Sequence, residues 1–188
     1  MIQYDANTDI KYQNGCMIFA TVTAWSNTHN IVLSYPQIDL VYKAINRKYS
    51  KGGIWKMDNR PLQSNDIPKI LNYLDETYGT TTYTMIPREW RWNWQTNRNL
   101  RKWWRTIISM NGNNAFKSDV TADGILNDTA RVDWPRWLWH QCCLIIENDE
   151  YYIVDIFGNR KHNKYLIKPN QFEKLKQRVD KEFFIITK

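Results

Sequence analysis

The chain has 188 residues, 43% of them hydrophobic and 24% charged, with a net charge of +7. That length bounds it to one domain with a sizeable core, and the composition excludes a disordered or collagen-like chain. Three cysteines, Cys16, Cys142 and Cys143, with no C-x-x-C pair, argue against a disulfide framework and a structural zinc site.

The N-terminus, Met1 to Asp5, has no charged region followed by an apolar run. No 18-residue apolar stretch occurs, so no membrane span is expected. The expectation is a chain made in the cytoplasm, or carried on a virion if it acts elsewhere. Residues 1–13 read as a strand or arm. Residues 15–26 read as a helix with Asn14 as N-cap and Cys16 in its first turn. Helical spacing at Ile38, Val41, Ile45 and Tyr49 gives a second helix over 36–49. Ile67, Ile70, Leu71 and Leu74 share a face of a third, over 65–78, ended by Gly79. The β-branched stretch from Thr80 to Ile86 reads as a strand.

Residues 88–136 change character and read as an insertion. Eight of the ten tryptophans lie between Trp90 and Trp139, interleaved with arginines. Leu100, Trp103, Trp104, Ile107 and Ile108 are spaced as a helix, and Asn111 to Asp133 as a loop. The C-terminal part reads as strands at 138–147, 151–156, 163–167 and 182–187, with a short helix from Pro169 to Val179. Asn148-Asp149-Glu150 marks a hairpin turn. Helices first and an antiparallel sheet later make the fold class α+β.

The chemistry centres on Cys16. A cysteine attacks as thiolate. A helix N-terminus favours negative charge, and an imidazolium can hold a thiolate and later protonate a leaving group. His140 opens one strand of the hairpin. Counting from the turn sets it opposite about residue 157, so a small stagger brings Asp155 within reach as the group that orients the ring. Asn159, after Gly158, is a second candidate orienter. The other histidines compete poorly. His29 lies about 20 Å along the helix from Cys16, and His162 sits in a charged turn.

These segments resemble the papain-like cysteine peptidase superfamily, in particular its bacteriocin-processing type and small papain-like proteins of phage. Tyr12-Gln13-Asn14-Gly15-Cys16-Met17-Ile18-Phe19-Ala20 is similar to the nucleophile helix. Trp139-His140-Gln141-Cys142-Cys143-Leu144-Ile145-Ile146 is similar to the histidine strand, and Tyr152 to Gly158 to the acid strand. The resemblance implies a papain-like fold and a Cys16–His140–Asp155 hydrolase of peptide or amide bonds, acting on a protein or cell-wall peptide without a cofactor. It also implies an oxyanion-hole glutamine. Gln13 stands three residues before Cys16, where the superfamily usually has five or six.

Each assignment has a plainer rival. Cys16 alone reads as a small buried hydrophobe, His140 as a strand histidine satisfied by a carbonyl, and Asp155 as a turn residue. His140 and Cys142 share a strand face, but no third and fourth ligand accompany them, so no metal is assigned. Trp90, Arg91, Trp92 and Trp94 are candidates for a substrate or partner surface. The rival is that most tryptophans form core with arginines around it. An anionic partner, nucleic acid or a cell-wall polymer, fits the charge. The alternative function is a silent papain-like fold with a structural or binding role in a phage particle.

Overall fold

A computed structural model describes residues 16–50, 66–85, 105–111, 139–154, 164–169 and 179–187. Three helices, α1 (Cys16–His29), α2 (Tyr35–Ser50) and α3 (Ile67–Tyr78), precede six strands. These are β1 (Thr82–Met85), β2 (Arg105–Asn111), β3 (Trp139–Glu147), β4 (Glu150–Val154), β5 (Lys164–Ile167) and β6 (Val179–Thr187). They form one antiparallel sheet in the order β1-β6-β2-β3-β4-β5. The class is α+β, and a helix that begins at Cys16 packs on the sheet. The expected arm at 1–13, the Asn14 cap, the loop after Asn111 and nearly all of the helix at 169–179 lie outside the described residues.

α1 is the centre of the fold. Ten consecutive residues, Met17 to Ser26, are buried. A helix apolar on every side needs cover on every side. β3, β2 and β6 supply it on one flank, and α3 and α2 on another. The polar residues of α1 are absorbed locally: the Thr21 hydroxyl donates to the Met17 carbonyl at 2.7 Å, and that of Ser26 to the Ile31 carbonyl.

Both α1 and α3 end through a left-handed residue. Asn30 has φ 53° and Gly79 has φ 67°. The next amide then folds back, Ile31 N–H to the Ser26 carbonyl and Thr80 N–H to the Asp75 carbonyl. This is the Schellman pattern. α2 starts at a capping box that spacing alone missed: the Gln37 side-chain oxygen accepts from the Ser34 N–H at 2.7 Å.

At the centre of the sheet both faces are buried. On the α1 side, Ile107, Cys143, Ile145, Val154 and Ile185 join the helical core. The alternate set, Thr106, Cys142, Leu144, Ile153 and Phe184, is buried outside that core. Registration explains the division: Ile107, Cys143 and Val154 form one rung, and Thr106, Leu144 and Ile153 the next. Adjacent Cys142 and Cys143 thus fall in opposite sets.

One expected element is corrected. Ile107 and Ile108 belong to β2 and not to a helix. The i, i+3, i+4 spacing was real, but Thr106, Ile107 and Ile108 are β-branched and pair on both sides, with β3 and β6. Pairing and two-faced burial outweigh a periodicity drawn from few residues. The β3–β4 turn is also tighter than expected. Asn148 (φ 50°) and Asp149 (φ 64°) make a two-residue loop, the type I′ geometry that suits strand twist.

Candidate functional site

Cys16 is the first residue of α1, and the first turn contains no acidic residue. The partial positive charge of the first-turn N–H groups is therefore not cancelled by an acid within the helix. α1 packs against β3, the strand that carries His140. The fold thus joins helix and strand at the level of elements.

The path of α1 is set from its other end. The His29 ring nitrogen Nε2 lies 2.7 Å from the Thr82 hydroxyl on edge strand β1. α1 also packs on β6, β2 and β3. Fourteen residues span about 20 Å, and three strand spacings span about 14 Å. The helix is thus long enough to run from the β1 edge across β6 and β2 to β3, the strands it packs on.

His140 pairs with Met110 of β2. On its other side Met110 faces Val179 of β6 across a register shift between Ser109 and Met110. Such bulges re-aim strands and cluster beside functional sites. The β3–β4 register runs from Glu147 with Glu150 to Cys143 with Val154. Further along β3, Cys143 and Ile145 join the α1 core. Gln13, Asp155, Asn159, Trp90, Arg91, Trp92 and Trp94 lie outside the described residues.

A second polar cluster was not read from sequence. It gathers at the C-terminal end of α1, around Asp75. Asp75 Oδ1 accepts from Trp25 Nε1 at 3.0 Å, Thr80 Oγ1 at 2.5 Å and Thr82 Oγ1 at 2.8 Å. Oδ2 accepts from the Thr82 N–H at 2.7 Å. Since the Thr82 hydroxyl donates to Asp75, it accepts from His29, which places a proton on Nε2. Burial pushes the Asp75 carboxyl up, but the bonds from Thr80, Trp25 and Thr82 outweigh it and hold it below its ordinary value. Burial holds His29 below its ordinary value, against the pull of the Asp75 charge. The Trp25 ring packs between His29 and Tyr78, with centroids 5.2 Å and 5.1 Å away. The sequence signal was faint: an acid one turn before Gly79, followed by three threonines.

No protein-family model matches the chain, and no curated protein matches it. Among solved structures it is similar to a crystal structure of a "putative C39-like peptidase" from Bacillus anthracis. The identity is 10%, the TM-score 0.33, and the match covers 63% of this chain. It spans 57% of that protein's length, under two thirds. Among the described residues, no helix is long and apolar enough to cross a membrane.

Proposed function

We propose that the chain is a cysteine-dependent hydrolase with a papain-like fold, cleaving a peptide or amide bond in a protein or cell-wall peptide. Cys16 attacks the carbonyl carbon as thiolate. His140 takes the thiol proton and delivers it to the leaving amine. Asp155, or Asn159 in its place, orients the imidazole. The Cys16 N–H and the Gln13 side chain donate to the oxyanion.

The observation that carries this reading is Cys16 at the head of a buried helix, with no acid in its first turn, packed on the strand of His140. Magnitudes show why both parts are needed. A helix terminus favours an anion by roughly 0.3–1 kcal/mol. That is under one pKa unit, too little to ionise an ordinary thiol fully at neutral pH. The imidazole must supply the rest. The β2–β6 bulge beside Met110 is a further support, because it lies level with His140.

The net charge of +7 favours a second reading, a papain-like fold kept for binding without turnover. In the binding reading, Trp90, Arg91, Trp92 and Trp94 contact an anionic partner, nucleic acid or a cell-wall polymer, in keeping with the +7 charge.

The test is turnover of a quenched fluorescent peptide library and of purified cell-wall peptide. Cys16→Ala and His140→Ala are each expected to lower the rate by about a thousandfold or more. Activity unchanged in Cys16→Ala removes the enzyme reading. Salt-sensitive retention of single-stranded DNA or wall polymer by an inactive wild type supports the second.

A further inference from the structure

We propose that Asp75 is an acid-operated latch that holds edge strand β1 to the helical layer, so that protonating this one carboxylate releases β1 ahead of the rest of the sheet. Three elements or their flanks converge on it: α1 through Trp25, α3 through its own backbone and Thr80, and β1 through both the amide and the hydroxyl of Thr82. All four of these groups donate. A carboxylate only accepts, so the cluster is complete only when Asp75 is ionised. A proton on either oxygen puts a donor against a donor: the Thr82 amide at Oδ2, or two hydroxyls and an indole at Oδ1.

The strand it holds is short and lies at an edge. β1 is four residues long at the edge of the sheet, paired only with β6 among the described strands. Tyr83 and Thr84 are exposed. β3, by contrast, is paired on both sides and buried from Gln141 to Ile146. Local opening starts where burial and pairing are least.

The groups around Asp75 give its titration a single direction. From α1 comes His29, with Nε2 at 3.9 Å from Oδ1. From α3 comes Tyr78, beyond the Trp25 ring. β1 brings Thr82 and the exposed Tyr83, and β6 sets Thr187 opposite Thr82. The α2 charges Asp39 and Lys43 pair with each other. Protonating His29 breaks no bond of the cluster, because Nε2 already carries its proton toward Thr82. Protonating Asp75 breaks the cluster. The carboxyl is also held below its ordinary value, so the latch stays closed through neutral and mildly acid pH.

The test is amide hydrogen exchange on the full chain, corrected for the intrinsic effect of pH, comparing β1 with β3. Lowering the pH from 6 to 3 is expected to cut protection at Thr82 to Met85 severalfold more than at Cys143 and Leu144. Asp75→Asn sets a side-chain NH2 against one of the same donors. It is expected to show low β1 protection already at pH 6, with no further selective loss at pH 3. Parallel loss of protection in β1 and β3 in the wild type overturns the proposal. So does an Asp75→Asn variant with wild-type β1 protection. If that variant fails to fold, the wild-type comparison still decides.

Discussion

The two ends of α1 solve opposite problems. At the His29 end, Asp75 gathers indole, hydroxyl and amide donors from α1, β1 and the α3–β1 connection. That end is closed chemistry, with its charge and donors spent on holding elements together. At the Cys16 end, about 20 Å away, the helix begins with a nucleophilic residue and no acid in its first turn. A helix locked at one end can present a reactive group at the other without moving it. Polar residues buried among matched partners indicate structure, whereas a cysteine at a helix head with no acid in the first turn is where we propose the chemistry.

The comparison breaks most sharply if Asp75 proves dispensable. Asp75→Ala leaves the Trp25 indole and the Thr82 amide without their acceptor, in a site where the Asp75 side chain is only 14% exposed. Losing such partners costs about 1–3 kcal/mol each. A total of about 3 kcal/mol is expected in urea unfolding, with Cys16 alkylation in the folded protein unchanged. A loss below about 1 kcal/mol contradicts a structural role for that end.

A smaller effect should appear with pH. His29 is held below its ordinary value of 6.5 by burial. As pH falls past 6.5, the unfolded chain takes up the proton first, so stability is lost between 6.5 and the lower folded value. The slope from this group is at most about 1.4 kcal/mol per pH unit. His29→Gln keeps an N–H for Thr82 and should flatten the urea midpoint over that window relative to wild type. For Asp75, also held low, stability is present above its ordinary value of 3.8 and is lost as pH falls below it.

The smallest expected effect lies at Gly79. Its φ is 67°, and an added Cβ meets nothing within 4 Å. Gly79→Ala therefore carries only the left-handed backbone cost, about 1 kcal/mol. A loss beyond about 2 kcal/mol in thermal unfolding would mean that the turn also sets the Thr80 and Thr82 donors onto Asp75.

How much of this was legible in sequence depends on range. Local signals carried the helices: the apolar face of α3 with Gly79 behind it, the spacing of Ile38, Val41 and Ile45 in α2, and the apolar run after Cys16. The hairpin turn was legible because Asn and Asp tolerate positive φ. β2 was not, since its identity comes from β3 and β6 on either side, partners distant in the chain. The Asp75 cluster was missed for the same reason: Trp25, Asp75 and Thr82 look unremarkable until α1 and α3 meet. At the candidate site, the placement of Cys16 at a helix head was readable from a polar stretch followed by an apolar run. The meeting of the far end of α1 with β1 was not, because it joins His29 and Thr82, which are distant in the chain.

The most direct measurement is the pH profile of Cys16 alkylation by iodoacetamide, followed by peptide mass spectrometry. Cys142 and Cys143 are buried and make poor references, so the urea-unfolded chain serves instead. The account predicts that Cys16 in the folded protein reacts at pH 6 at least tenfold faster than in the unfolded chain, with a rate nearly flat from pH 6 to 8. It also predicts that His140→Ala restores the steep profile of an ordinary thiol. A folded-state rate that falls about tenfold per pH unit below 8, with or without His140, would contradict it.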